Sequence, residues 1–443
     1  MRVQHRLASV AEPVGTSDSC FDCLVVGSGF GGAVMAARLA PHLRGRRLAL
    51  LERGQDYTAQ TLPSNASAAI KAIKSSCNPL GLFDFGMHRG ADTLGASALG
   101  GTSRICERMT LQVQTHAFET SQPDAQHRMR RLWPNSLNAI SMQNHYGEAL
   151  SMLDRTDTHS AADEPQTHGL CTNYLHVAKQ FGCKFLTQCE VISFSPSELP
   201  DYRFQVLVQQ WHNNGEHWVS QTRKLHTRML VLSAGVLGTT AIMSRSAALG
   251  FMPFSPWLGT SIDGSHERVS FSCVKAPYQP RIVARVFRGE QPPVACKGEL
   301  SLGRNSALQI HWHSADIDSS QDRHVRSFLQ RVAGYLHRNR LNVAHSYRDG
   351  SAPMVIQATG GCRMGVSFDE GVCDDVGRVF KRSGGAYTGL YINDASICCS
   401  AMVNPALAIA ALAERSAQQI VETDLPILFK KQVSESGKRL QCA

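Results

Sequence analysis

An α/β fold is predicted by three neighbouring features of the sequence. Phe21–Val26 is a short, largely apolar run that stops at a glycine cluster, as a buried parallel strand does. Gly31–Leu43 is rich in Ala, Met and Leu and reads as a helix closed before Gly45. Arg47–Leu51 is a second apolar run, and it ends in Glu52. Strand, glycine turn, helix and strand make a βαβ unit, the opening of a Rossmann-like nucleotide-binding domain.

The rest of the chain is consistent with one large globular protein. Its 443 residues are 43% hydrophobic and 18% charged, enough for a sizeable core, which excludes disordered and low-complexity classes. No apolar run approaches the roughly 20 residues that span a bilayer. The first residues are polar and lack an apolar signal core, so a cytoplasmic protein without a secretory signal is expected. Fourteen scattered cysteines suit a reduced compartment. The net charge of +9 fits an acidic surface or a phosphate-bearing ligand and is too weak to argue for nucleic acid.

Residues 54–90 are rich in turn formers. Helical spacing is found over Trp133–Leu153 and Asn173–Phe181, and strand-like runs at Glu190–Phe194, Phe204–Gln210 and Met229–Ser233. Between about 265 and 315 the pattern alternates as in strands, including Arg268–Val274 and Ala307–His313; Arg323–His337 then returns to helical spacing. A strand at GLYIND precedes a long Ala-rich helix from Pro405 to Glu422, and the last twenty residues read as a solvated tail.

Gly27-Ser28-Gly29-Phe30-Gly31-Gly32 is the strongest local motif. Gly27 permits the tight turn off the strand, Gly29 leaves room for a pyrophosphate, and Gly32 lets helix and strand pack closely. The following helix points free N–H groups and the positive end of its dipole at the phosphates. Glu52, 20 residues beyond Gly32, can accept hydrogen bonds from ribose hydroxyls. The motif and its context predict a dinucleotide without saying which.

Four further stretches, in order, resemble the glucose–methanol–choline (GMC) family of FAD-dependent oxidoreductases, and most its cholesterol-oxidase-type branch. They are Gly95–Ser103 (GASALGGTS), Val231–Gly238 (VLSAGVLG), Gly360–Gly365 (GGCRMG), and Asp394-Ala395-Ser396 followed by Val403-Asn404-Pro405 and Ala410–Arg415. The resemblance implies a discontinuous FAD-binding domain, residues 21–262 and 351–425, around a smaller α+β substrate domain at 263–350. A lead-in at 1–20 and a tail at 426–443 complete it. It implies FAD as cofactor, held by Gly27–Gly32, Glu52, Arg53, Gly95, Leu99, Gly100, Gly101, Ser103, Ala234, Gly235, Asp394 and Ala395, with Val191 near the adenine. Asn404 and Pro405 would open a helix facing the flavin pyrimidine, where Asn caps and Pro suits the first turn. The implied reaction is hydride transfer from an apolar, possibly sterol-like alcohol, with oxygen or another acceptor taking the electrons.

Two departures sit at the implied reaction centre. The family pattern HPLGGCxMG begins with a histidine that handles the alcohol proton; here the position holds Gln357, which hydrogen-bonds but does not titrate. After the glycine loop, Arg104, Glu107 and Arg108 stand where the family is nearly neutral. Asn404 and Gln357 are the catalytic candidates, and a catalytically impaired FAD-binding relative is the alternative reading. An NAD(P) dehydrogenase accounts for the first motif alone. His345, and His311 with His313 flanking Trp312, are other candidate groups; the His311/His313 pair lacks a third metal ligand at recognisable spacing. Cys20 and Cys23 read as packing, and Asn65-Ala66-Ser67 is a formal glycosylation acceptor. Contact with a membrane surface is a further reading of the basic excess.

Overall fold

A computed structural model describes residues 19–57, 61–86, 92–105, 113, 115–123, 127, 129–153, 170–215, 217–265, 268–275, 280–287, 295–303, 308–313, 354–355, 358–400, 402 and 405–430. Gln357, Asn404, His345, Glu107, Arg108 and the helix expected over Arg323–His337 lie outside the described residues.

The βαβ unit forms where the sequence places it, with β1 (Cys20–Val26), α1 (Phe30–Leu39) and β2 (Leu48–Leu51). Both strands are apolar because both faces of the sheet are covered; Cys23, Leu24 and Val25 are fully buried. They run parallel, with Val26 beside Leu51. Next come α2 (Ala66–Lys71), β3 (Phe83–Gly86) and β4 (Asp92–Ala96), whose two strands pair antiparallel. A small ribbon, β5 (Ser121–Pro123) with β6 (Met129–Arg131), leads to α3 (Ala139–Leu153). That helix begins later than the Trp133 start expected. Pro134 and the Asn138 side chain, which accepts from the Ile140 and Ser141 amides, fix the boundary.

After α4 (His176–Gln180), β7 (Lys184–Leu186) joins the far side of β2. β8 (Cys189–Pro196), β9 (Phe204–Asn213) and β10 (Trp218–Leu232) form an antiparallel meander. The second half of β10 leaves β9 and runs parallel to β1, pairing Leu230 with Leu24. α5 (Gly235–Ala248) follows.

In the region expected for the substrate domain, β11 (Ile262–Ser265), β12 (Arg268–Lys275), β13 (Pro280–Phe287), β14 (Ala295–Leu302) and β15 (Leu308–Trp312) are described. β11, β14 and β15 make one antiparallel sheet; β12 and β13 make a hairpin. The apolar side of the larger sheet, Ile262, Leu300 and Ile310, packs on Val236 of α5. β16 (Met354–Val355) then pairs parallel with β4.

The chain returns to the main sheet through β17 (Arg378–Phe380) and β18 (Ala386–Ile392), giving the order β17-β18-β10-β1-β2-β7. The Ala-rich helix α6 (Ala406–Gln419) follows; Pro405 stands one place before its first residue rather than within it. Small side chains let α6 pack closely on α1 and α3. Glu414, buried in that contact, is compensated by a two-pronged bond from Arg38 (2.6 and 2.8 Å) and by the Tyr174 hydroxyl at 2.6 Å. Within the tail expected from 426, Leu428 is buried and Arg46 stacks on the Phe429 ring. No helix among the described residues is long and apolar enough to cross a membrane.

Candidate functional site

The C-terminal ends of β1, β2, β10 and β18 converge, and the glycine motif sits among them. Gly27 turns the chain with φ +94°, and a Cβ there would lie 2.2 Å from the Ser233 carbonyl oxygen at the end of β10. Gly31 is equally confined, since a Cβ would meet the Asn393 carbonyl oxygen at 1.8 Å. On Gly32 it would meet the Gly27 oxygen at 1.9 Å. Close packing of helix against strand ends therefore requires these three glycines.

Gly29 is different. Its φ of −66° is open to any L-residue, and a Cβ there would meet nothing within 4 Å. Neither conformation nor neighbouring protein requires a glycine at this position. Gly29 also stands at the start of α1 without a side-chain cap, and the first turn carries no acidic residue. The helix N-terminus thus offers N–H groups toward open space, the arrangement that receives a phosphate. A dinucleotide pyrophosphate fits both observations.

Ser28 builds the floor of this turn. Its hydroxyl donates to Glu52 Oε2 at 2.5 Å and accepts from the Gly100 amide at 2.9 Å. The other Glu52 oxygen accepts from the Gly54 amide at 2.8 Å. The Gly95–Ser103 loop is thereby fastened to the glycine motif, with a Cβ on Gly101 only 3.1 Å from Gly29 Cα. Leu99 is buried, and Ser103 Oγ closes the loop on the Gly100 carbonyl at 2.7 Å. Burial pushes the Glu52 carboxyl up from its ordinary value, opposed by the bonds from Ser28 and Gly54. Both Glu52 oxygens are engaged by the protein, and a carboxylate has further lone pairs for a ribose hydroxyl.

Arg53, next to Glu52 in the chain, pairs with Asp84 at 2.6 Å. Arg104 is also held by protein, its guanidinium donating to the Tyr57 carbonyl. Val191 is a buried core residue two places beyond Cys189, whose amide bonds the Glu52 carbonyl at 2.9 Å. The start of its strand therefore lies beside the end of β2.

On the other flank, Asp394 binds the start of α5. One oxygen accepts from the Gly235 amide (2.9 Å) and Thr239 Oγ1 (2.5 Å), and the other from the Ser396 amide (2.8 Å). Burial raises this carboxyl too, against those same bonds. Ala234 and Gly235 lie between the β10 end and Asp394. Ala395 accepts from the Gly360 amide at 3.0 Å, and Cys362 donates to Ser396 at 2.9 Å. The third motif is thus laid along the fourth.

The segments that carry Gln357 and Asn404 are joined at their described flanks. Thr359 Oγ1 donates to the Ser400 carbonyl at 3.2 Å, and the Trp133 indole donates to Ser400 Oγ at 3.1 Å. Sequence reasoning missed Trp133, Thr359 and Ser400; nothing in a local pattern links residues so far apart. His311 and His313 are exposed, near Ser301 and Glu299. Among the described residues no group of three His, Cys, Asp or Glu side chains is placed to hold a metal.

Residues 314–413, which include the third motif and all but the last two residues of the fourth, match the family model described as GMC oxidoreductase. No curated protein matches the chain. Among solved structures the chain is similar to pyridoxine 4-oxidase from Mesorbium loti, with 16% identity, a TM-score of 0.45, and coverage of 90% of this chain and 99% of that one.

Proposed function

The chain belongs to the GMC oxidoreductases, a family of FAD-dependent flavoproteins, and from that premise we propose that it oxidises the CH–OH group of an alcohol with FAD held at the Gly27–Gly32 junction. The observation that carries the cofactor placement is Gly29, whose missing side chain leaves room that the protein itself does not use. Bound FAD supplies the acceptor for the carbinol hydride. The uncapped N-terminus of α1 would receive its pyrophosphate, Glu52 would hydrogen-bond its adenosine ribose, and Asp394 with Ala395 would hold the part of the cofactor nearer the flavin. Asn404 positions the substrate hydroxyl, and the Gln357 amide orients it from the place where the family carries histidine.

An apolar, sterol-like alcohol is supported by the resemblance to the cholesterol-oxidase-type branch, and oxygen or another acceptor would complete turnover. The test is reconstitution of purified protein with FAD, followed by anaerobic bleaching of the flavin with cholesterol and simple alcohols. Protein that shows no flavin absorbance after reconstitution overturns this reading.

Gln357 favours a second reading, a flavin-binding relative with impaired turnover, because loss of a general base costs about 100- to 10,000-fold in rate. Bleaching only after Gln357→His supports it; rapid bleaching of the unmodified protein removes it.

A further inference from the structure

The end of the parallel sheet away from the glycine motif gathers cations that the cofactor junction does not use. Arg46 and Arg47 immediately precede β2. Arg228 stands level with Asp22 at the start of β1, one place beyond the Thr227–Phe21 pair. Asp22 is shared between Arg46 at 3.5 Å and Arg228 at 3.6 Å. Arg44, Arg382 and Lys430 are exposed and form no ion pair among the described residues. Arg382 lies in the turn that leads from β17 into β18, and Lys430 follows Phe429, over whose ring Arg46 stands at 4.4 Å. The turn between β8 and β9 reaches the same end, where the Asp201 carbonyl accepts from Arg228 Nε at 3.1 Å. Its two acids, Glu198 and Asp201, are too few to balance the cations around them.

Exposed apolar side chains collect at the same end. Phe181 precedes β7, and the Arg44 guanidinium lies 6.0 Å from its ring centre. Leu249 and Phe251 follow α5, where the chain is fastened to β18 by the Tyr387 hydroxyl, which donates to the Pro253 carbonyl at 3.0 Å. Ile427 adjoins Leu428, which packs toward Gly389 of β18. Phe251 is 67% exposed and Ile427 65%.

We propose that this end of the sheet is a docking surface for membranes of anionic phospholipid. Headgroup phosphates and carboxylates take the cations, and the apolar tips between them enter the headgroup layer. Single-stranded nucleic acid needs ring faces on which its bases stack, whereas the rings of Phe21, Tyr202 and Phe429 are covered by Arg47, Arg228 and Arg46. The strands place the glycine motif at their opposite ends, so docking leaves the cofactor junction uncovered.

Sedimentation of the full-length protein with phosphatidylcholine vesicles, with and without phosphatidylserine and at low and high salt, tests this. Wild type should sediment only with vesicles that contain phosphatidylserine, and less at high salt. Arg44→Gln/Arg382→Gln/Lys430→Gln should weaken partitioning about 100-fold, at about fivefold per cation. Phe251→Ser/Ile427→Ser should weaken it about tenfold. Ile140→Ser alters an exposed side chain on α3, which supplies none of these groups, and should bind as wild type does. Thermal melting of each variant checks that the fold is kept. Equal sedimentation with both vesicles, or undiminished binding by the triple variant, overturns the proposal. Binding of a single-stranded oligonucleotide in place of vesicles overturns it in favour of nucleic acid.

Discussion

Ser28 Oγ lies 2.5 Å from Glu52 Oε2, and the same hydroxyl accepts the Gly100 amide at 2.9 Å. One fully buried serine therefore joins the glycine motif, the end of β2 and the second glycine loop, partners 24 and 72 residues away in sequence. Ser28→Ala leaves the Gly100 amide without its partner and strips one donor from Glu52. An unsatisfied buried polar group costs about 1–3 kcal/mol, so the loop should loosen and FAD affinity should fall roughly tenfold or more. Fluorescence titration with FAD, beside thermal melting of the FAD-free protein, would show it.

Trp133, Ser400 and Thr359 form a chain that should behave as a unit. Trp133→Phe keeps the edge-to-face packing on Phe118 and removes the bond to Ser400 Oγ. The expected cost is about 1 kcal/mol. Ser400→Ala should cost a similar amount, and the double variant less than the two together, because they share one bond. Urea denaturation of all four proteins closes the cycle.

Asp424 provides a pH test. It accepts Arg378 Nε and Nη2, each at 2.8 Å, and the Tyr391 hydroxyl at 2.6 Å. Burial alone would raise its carboxyl, but the bond from Arg378, with those from Thr423 and Tyr391, outweighs it and holds the carboxyl below its ordinary value. A depressed folded pKa gives stability that is present above the unfolded value, about 3.9, and lost as pH falls through the folded one. Asp424→Asn should therefore cost about 2 kcal/mol at neutral pH, and the difference should shrink progressively as pH falls below about 4. Denaturant midpoints at stepped pH measure it.

Among the described residues, the buried cysteines should be inert in the native state. Burial pushes the Cys23, Cys373 and Cys398 thiols well up, so almost no thiolate exists at neutral pH. Cys77 is exposed. Thiol labelling followed by mass spectrometry should mark Cys77 and spare those three until denaturant is added. Native labelling of Cys23, or its oxidation with Cys20, would contradict the reading of these residues as packing.

The parts of the fold legible in sequence are those whose burial covers both faces of an element. β1, β2 and the end of β10 are continuous apolar runs, and α6 is a continuous small-residue stretch. The first half of β10 was not legible. Trp218–Arg228 is polar because it belongs to the meander, and only from Met229 onward does the strand enter the double-covered sheet. The spacing from Gly32 picks out Glu52, and the glycine motif picks out Ser28 as a cofactor candidate, but the Ser28 bonds to Glu52 and Gly100 are not legible because those partners are distant in sequence. The resemblance names Arg53 beside Glu52, but its partner Asp84, 31 residues on, is not legible from a local pattern. The histidines at 311 and 313 share a strand face as their spacing requires, on the side left exposed.

Gly29 offers the most direct test of where the cofactor lies. FAD titration and FAD-free melting should be run on wild type, Gly29→Ala and Gly31→Ala. Gly29→Ala should melt like wild type without cofactor, since its Cβ enters open space at an ordinary φ, yet lose most FAD affinity. Gly31→Ala should destabilise the FAD-free fold by about 1–3 kcal/mol or more, because its Cβ strikes the Asn393 carbonyl. Full FAD affinity in Gly29→Ala would contradict the account, as the open space beside α1 would then hold no pyrophosphate.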